Sequence, residues 1–132
     1  MKMPNILIVD DEGEVREMMK NFLANRIKCK IYEAENGDKA LKILAKQNCD
    51  VMILDIRMPK KSGMRVLDEI AVLGGNLDTL IVTAWNSDLV TEECARRKVE
   101  CISKPVKFEE LHYKVTELLK KRGQFIPIAN KA

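Results

Sequence analysis

The sequence has few of the residues that bind transition metals or form disulfide frameworks. It contains a single histidine, and its four cysteines include no Cys-x-x-Cys pair and have no interleaved histidines. This spacing argues against a zinc or redox site. Cys29, Cys49, Cys94 and Cys101 are better explained as small buried hydrophobic residues in a reducing compartment.

Long apolar segments are also missing. No hydrophobic run approaches the length that spans a bilayer, and Met1 to Pro4 lead into a predicted strand without the features of a secretory signal. We therefore expect a cytoplasmic protein that does not contact the membrane.

Neither sign of charge is in large excess. The chain has 23 lysines and arginines against 20 aspartates and glutamates, a formal net charge of +3. The basic residues are spread over predicted helices rather than gathered with aromatic residues, so no direct contact with nucleic acid is expected. A length of 132 residues, with 46% hydrophobic and 33% charged residues, fits one globular domain, as a monomer or weak dimer.

Apolar runs alternate with segments of helical period. The runs predict strands at 5–9, 27–33, 50–54, 80–82 and 99–102, and the periodic segments predict helices at 13–25, about 40–47, about 66–73, 86–98 and about 108–119. Either Ser87 or Asp88 is the expected N-cap of the fourth helix. Five strand-helix units predict an α/β fold with a parallel sheet and helices on both faces.

Polar residues stand directly after the buried strands. Asp10, Asp11, Asp55, Thr83 and Lys104 would meet at one rim of such a sheet, where ligands bind. Clustered carboxylates need a cation, and an all-oxygen ligand set suits Mg²⁺. Taken singly, each residue has a plainer explanation: a capping aspartate, a core-facing threonine or a solvated lysine.

The joint set resembles the receiver domain of two-component response regulators, in particular chemotaxis-regulator-like ones. The matching motifs are Asp10-Asp11, Asp55 followed by Met58-Pro59 and Gly63, Thr83-Ala84, and Lys104-Pro105. The resemblance covers residues 5–120. It implies a flavodoxin-like, doubly wound sheet with strand order 2-1-3-4-5 and five helices. Residues 123–132 have no hydrophobic period, which predicts a tail or linker start after a receiver domain at 1–122.

The resemblance also implies roles for these residues. Asp55 becomes the phosphoacceptor, and Asp11, Asp55 and the backbone carbonyl of Arg57 become Mg²⁺ ligands, with Asp10 helping through water. Thr83 and Lys104 would contact the phosphoryl oxygens, and a cis bond before Pro105 would aim Lys104 inward. The expected partners are a histidine kinase or phosphotransfer protein and a downstream protein target or covalently linked output domain.

Five positions depart from the family pattern or modulate it. Cys101 replaces the usual aromatic switch residue, and Arg97-Lys98 replaces a Gly-Ala pair at the end of the fourth helix. Arg57 and Trp85 should flank the path of water to the phosphorylated aspartate and slow its hydrolysis, because neither side chain offers an acceptor to orient water. Solvation of both side chains is the alternative.

Two other functions compete with a phosphorylation-controlled signalling switch, which is not an enzyme beyond its own phosphorylation and dephosphorylation. One is a pseudo-receiver that binds partners without phosphorylation, although the key acids and Lys104 are all present. The other is a phosphohydrolase with an aspartyl-phosphate intermediate, which would require an acid where Arg57 stands.

Overall fold

Five parallel strands and five helices alternate along the chain. The structure is a computed structural model that describes residues 2–57, 62–73, 75–84 and 87–128, with the side chain of Leu73 outside this description. The predicted roles of Met58, Pro59 and Trp85 and the predicted helix start at residue 86 therefore fall outside the described residues. The strands are β1 (Asn5–Val9), β2 (Lys30–Ala34), β3 (Val51–Leu54), β4 (Asp78–Thr83) and β5 (Glu100–Ser103), and the helices are α1 (Gly13–Ala24), α2 (Gly37–Lys46), α3 (Gly63–Leu73), α4 (Asp88–Arg97) and α5 (Phe108–Lys121).

The strand order is β2-β1-β3-β4-β5, as predicted. All neighbouring strands are parallel, with Ile8 opposite Ile53 and Ile53 opposite Leu80 in the central register. The reversal of strand order between β1 and β3 opens a crevice at the carboxyl edge, which is where ligands bind in sheets of this type.

Both faces of the sheet are covered because the central strands are apolar throughout. One face packs against α1 and α5, and its core contains Ile6, Ile8, Met19, Leu23, Val51, Ile53, Leu80, Val82, Leu111, Val115 and Leu119. The other face packs against α2 and α3, with Leu7, Val9, Ala40, Met52, Leu54 and Val66, and against α4, with Ile81, Val90 and Cys94. Each large side chain buried in this way contributes about 1.5–3 kcal/mol.

The second strand begins later than predicted. The expected start at Ile27 was wrong, since β2 runs from Lys30 to Ala34. Ile27 is buried, but its N–H donates to the carbonyl of Leu23 at 2.8 Å, which continues the turn after α1. Ile27 packs into the core from this turn rather than from a strand. Its apolar side chain therefore identified a core position but not the start of β2.

The ends of α4 resolve two expectations. Ser87 caps the helix by accepting a hydrogen bond from Val90 N–H at 3.3 Å, which confirms one of the two predicted caps. At the other end Lys98 adopts a left-handed conformation with φ 58°, a geometry that favours glycine. The lysine therefore ends the helix at a conformational cost of about 1–2 kcal/mol.

Part of the segment after α5 folds back against the domain. The chain turns at Gly123, which has φ 69°, and Pro127 forms an antiparallel bridge with Ile27. Lys28 N–H donates to the Ile126 carbonyl at 2.8 Å, and Phe125 packs against the core. The division at residue 122 stays a prediction, and the structure adds that 124–128 contact the domain.

Among the described residues, no helix combines the length and the apolarity needed to cross a bilayer.

Candidate functional site

Backbone hydrogen bonds continue past the strand ends and fix the predicted rim. Asp10 N–H donates to the Ala34 carbonyl at 3.1 Å, Asp55 N–H to the Val9 carbonyl at 2.9 Å, and Lys104 N–H to the Thr83 carbonyl at 3.0 Å. Asp10, Asp55 and Lys104 each stand one residue beyond a strand. The parallel register therefore brings them to the same edge, as the sequence predicts.

Lys104 lies at the centre of the acidic residues. Its Nζ is 2.8 Å from Asp10 Oδ2, 2.9 Å from Glu12 Oε1 and 2.9 Å from Asp55 Oδ2. Burial acts to lower the pKa of the Lys104 ammonium, but hydrogen bonds to these carboxylates outweigh it and raise that pKa well above its usual value. The Lys104-Pro105 peptide bond is cis, as the resemblance implied.

Four carboxylates form a compact set of oxygen ligands. Asp10, Asp11, Glu12 and Asp55 each offer an oxygen within 4.8 Å of the others. At this separation two unit charges repel by about 3.5 kcal/mol at an effective dielectric constant near 20. Burial raises the pKa of Asp10, and contacts with Lys104 oppose that rise.

The donor set fits a magnesium ion. Asp10 Oδ2 is buried and, although close to Lys104, has no well-oriented hydrogen bond among the described residues. Mg²⁺ prefers oxygen ligands and is commonly held by one or two carboxylates together with water and phosphate. The buried Asp10 carboxylate beside three further carboxylates supplies this chemistry.

Asp55 is held from both sides. Its Oδ1 accepts a hydrogen bond from the Arg57 N–H at 2.9 Å, and its Oδ2 accepts one from Lys104 at 2.9 Å. Gly63 packs below it, where an added Cβ would lie 3.0 Å from the Asp55 carbonyl oxygen and 2.6 Å from Ile56 Cα. The carboxylate is 5% exposed and faces the rim as a fixed acceptor.

Comparison with known proteins assigns the family. A model described as the response regulator receiver domain matches residues 6–116. The chain belongs to this family. Sporulation initiation phosphotransferase F of Bacillus subtilis is 30% identical over 115 residues, which cover 86% of this chain and 92% of that relative.

Other receiver relatives are longer than this chain. A cyclic di-GMP phosphodiesterase of Thermotoga maritima is 32% identical over 118 residues, which cover 89% of this chain but 31% of that protein. A probable C4-dicarboxylate response regulator of Bacillus subtilis is 29% identical over 108 residues, which cover 80% of this chain and 48% of the relative. The chain thus spans less than half of these two relatives and nearly all of the sporulation phosphotransferase.

Solved receiver structures share the fold. The signal receiver domain of a putative Luxo repressor protein from Vibrio parahaemolyticus superposes with a TM-score of 0.87 at 24% identity, covering 92% of this chain and 94% of that one. The receiver domain of the Francisella response regulator 1452 has a TM-score of 0.81 at 26% identity, covering 90% and 98%. These likenesses establish the receiver architecture.

The remaining predicted residues differ in their burial and in their distance from the acidic cluster. Thr83 ends β4 and is buried, while Arg57 is exposed and Trp85 lies outside the described residues. Cys101 is half-buried against α4 rather than within the acidic cluster. Burial raises the pKa of its neighbour Cys94 to about 11, and interaction with the Cys101 thiol adds to this rise.

Sequence reasoning assigned no role to two side chains that contact the site. The first is Glu12, whose carboxylate accepts a hydrogen bond from Lys104. The second is Arg16, whose Nη1 donates to the Asp10 carbonyl at 2.5 Å. Adjacency to Asp10 and Asp11 was a usable signal for Glu12. Arg16 carried none, because an exposed helix position and a site-facing one look alike in a polar segment.

The basic end of α4 forms ion pairs. Arg97 contacts Glu93 and Asp68, each at 2.7 Å, and Arg96 contacts Glu93. His112 packs edge-on against Phe22, with ring centroids 6.2 Å apart. Both features fit helix-surface packing.

Proposed function

We propose that this receiver accepts a phosphoryl group on Asp55 in the presence of Mg²⁺ and thereby switches its interactions with a partner. The supporting observation is the Lys104 ammonium, which contacts Asp10, Glu12 and Asp55 at 2.8–2.9 Å. A phosphoacceptor needs a nucleophile, a metal ligand set and a cation for the phosphoryl oxygens in one place. The three contacts bring these requirements together.

Asp55 is the nucleophile in this proposal. One of its carboxylate oxygens forms a bond to phosphorus while the bond from phosphorus to the donor breaks, and a phosphohistidine imidazole leaves with its electron pair and takes up a proton. The Arg57 N–H and Lys104 hold the carboxylate, which favours in-line attack through positioning. Lys104 neutralises charge on the phosphoryl oxygens, and the Thr83 hydroxyl donates to another of them.

Asp10, Asp11, Asp55 and the Arg57 backbone carbonyl would hold the metal. A bound Mg²⁺ would offset the negative charge that the carboxylates and the phosphoryl group bring together. Asp11 is exposed and Asp10 is buried, so the two adjacent acids face different surroundings. This difference is consistent with direct ligation by Asp11 and a water-mediated role for Asp10.

This function requires two kinds of partner. A histidine kinase or phosphotransfer protein donates the phosphoryl group, and a downstream protein or linked output domain responds to the phosphorylated state. Some relatives are about as long as this chain and others are much longer, since the chain covers 92% of one relative and 31% of another. The proposal therefore accommodates a single-domain regulator and a receiver within a longer chain.

Acetyl phosphate provides a direct test without a kinase. The protein should gain the mass of one phosphoryl group when incubated with Mg²⁺ and acetyl phosphate, and the gain should disappear in EDTA and in Asp55→Asn. Asp38→Asn, at the start of α2, controls for loss of an unrelated aspartate. Absence of any mass gain in the parent protein would favour phosphorylation-independent partner binding instead.

The lifetime of the phosphorylated state is a separate part of the proposal. Arg57 is exposed, which weakens the case that its side chain shields the site. Decay should be slow if Trp85 and Arg57 fail to orient water, and Arg57→Asn should then accelerate it. Equal decay rates in the parent and in Arg57→Asn would remove Arg57 from this role.

A further inference from the structure

Arg16 links helix α1 to strand β2 and to the residue that follows β1, next to the acidic cluster. It lies in the first half of α1, and its Nη1 donates to the backbone carbonyl of Asp10 at 2.5 Å. Its Nε donates to Glu33 Oε1 on β2 at 3.4 Å. The Arg16 side chain is 18% exposed, so these contacts form at a partly buried junction rather than in open solvent.

The Arg16 contact completes the fixation of Asp10. The Asp10 N–H donates to Ala34, its Oδ1 accepts from the Glu12 N–H at 2.9 Å, and its Oδ2 faces Lys104. The carbonyl is the remaining polar group of the residue, and Arg16 binds it. Because the peptide unit is planar, holding this carbonyl also sets the direction in which the chain enters Asp11.

The carbonyl that joins the two acids of the pair is therefore oriented by one guanidinium. We propose that Arg16 is a positioning residue for the metal site, acting through the Asp10 carbonyl and anchored by Glu33. This inference rests on the proposed Mg²⁺-dependent function. Groups that orient metal ligands without touching the metal commonly change metal affinity by about 10- to 100-fold when removed.

The geometry requires arginine rather than any cation. A planar guanidinium presents several donors in a rigid fork, which here serves Glu33 through Nε and Asp10 through Nη1. A lysine side chain ends one bond short of the Nη1 position and has a single nitrogen. Arg16→Lys therefore keeps the charge but loses the two-sided contact.

The charge of Arg16 and its positioning role predict opposite changes in Mg²⁺ affinity when the side chain is removed. A cation near a Mg²⁺ site repels the metal, so loss of its charge alone would tighten binding. Loss of positioning would weaken binding. Glu33 already offsets the Arg16 charge, and it also pairs with Lys20 at 3.3 Å. Lys20→Ala is thus a matched control, because it removes a cation from the same Glu33 without a contact to Asp10.

The test is a titration of the full chain with Mg²⁺ alone, followed through the amide signals of residues 10–12 by NMR. We expect Arg16→Ala to bind Mg²⁺ about tenfold more weakly than the parent, Arg16→Lys to be weakened in the same direction, and Lys20→Ala to match the parent. Melting curves in EDTA identify which variants are folded, and Arg16→Lys carries the test if Arg16→Ala does not fold.

Unchanged or tighter binding in Arg16→Lys and Arg16→Ala would overturn the positioning role, as would equal weakening in Lys20→Ala. Failure of the parent protein to bind Mg²⁺ is a different outcome, because it would reject the proposed metal-dependent function itself. The two failures are therefore distinguishable within one set of titrations.

Discussion

Replacing Lys104 with methionine should affect metal binding and phosphoryl transfer in opposite directions. The substitution keeps an unbranched side chain of similar length but removes the ammonium that contacts Asp10, Glu12 and Asp55. Mg²⁺ binds oxygen at about 2.0–2.1 Å, so it competes with Lys104 for the same carboxylates. Removing the competitor should tighten Mg²⁺ binding, whereas phosphorylation loses a cation for the phosphoryl oxygens.

The contacts in the structure set the size of the effect. A hydrogen bond to a charged group contributes about 1.5–3 kcal/mol. Freeing the carboxylates from one such contact should tighten Mg²⁺ binding by roughly 10- to 100-fold, since about 1.4 kcal/mol corresponds to tenfold. Without metal the carboxylates lose their counterion, and breaking a buried ion pair from one side costs about 3 kcal/mol or more.

This cost should appear as a lower melting temperature in EDTA. For a domain of this size about 3 kcal/mol corresponds to a fall of roughly 10 °C. Saturating Mg²⁺ should restore most of the loss, because ligand binding to the folded state stabilises it. The folded-state pKa of Lys104 is raised, so its stabilising charge is fully present below the unfolded pKa of about 10.4. The loss in Lys104→Met is therefore expected throughout the neutral range.

The assay combines a Mg²⁺ titration, melting curves with and without EDTA, and the rate of phosphorylation by acetyl phosphate. Lys107→Met is the matched control. Lys107 lies three residues after Lys104 and is exposed, so its substitution removes the same charge away from the carboxylates. The reasoning is refuted if Lys104→Met binds Mg²⁺ no more tightly than the parent, or if Lys107→Met produces the same gain.

Three further substitutions test the packing of the domain near the site and away from it. Gly63→Ala should destabilise the domain by about 1–3 kcal/mol and slow phosphorylation, because the new Cβ would lie 2.6 Å from the Ile56 backbone. Gly75→Ala is its control and should cost less in urea unfolding, because its Cβ would lie 3.1 Å from a side-chain methyl of Ile70 rather than against backbone. Cys101→Tyr should leave acetyl-phosphate labelling intact but alter partner binding or dimerisation; loss of labelling would place Cys101 in the site. Phe125→Ala should lower the free energy of unfolding by about 1–2 kcal/mol, and an unchanged value would place the segment after α5 outside the folding unit.

The rim of the site could be predicted because it follows from chain direction. A buried parallel strand ends at a defined edge, so a polar residue directly after each apolar run lies at that edge. Asp10, Asp55 and Lys104 each stand one residue beyond a strand, and Thr83 is the last residue of β4. The strand order β2-β1-β3-β4-β5 follows the same family pattern. The identity and the end of each strand were enough to predict which residues lie at the rim, without knowledge of the direction of any side chain.

Side-chain contacts across elements were not predictable in the same way. The contact of Arg16 with the Asp10 carbonyl depends on the angle of α1 to the sheet, which periodicity does not encode. The apolar character of Ile27 identified a core residue but not its secondary structure, since a turn and a strand can both bury an isoleucine. Phe125 lies in a segment without period, and its packing follows from the turn at Gly123.

The acidic cluster is compatible with a stable fold because its charges are unequally buried. Asp11 and Glu12 are exposed, with the Glu12 side chain 60% accessible, and water can solvate them. Asp10 and Asp55 are buried to 1% and 5% exposure, and both contact Lys104. One internal cation therefore serves the two carboxylates of the cluster that are least accessible to water. Since this counterion belongs to the chain itself, metal binding is expected to add to the stability of a folded receiver by mass action rather than to be required for folding.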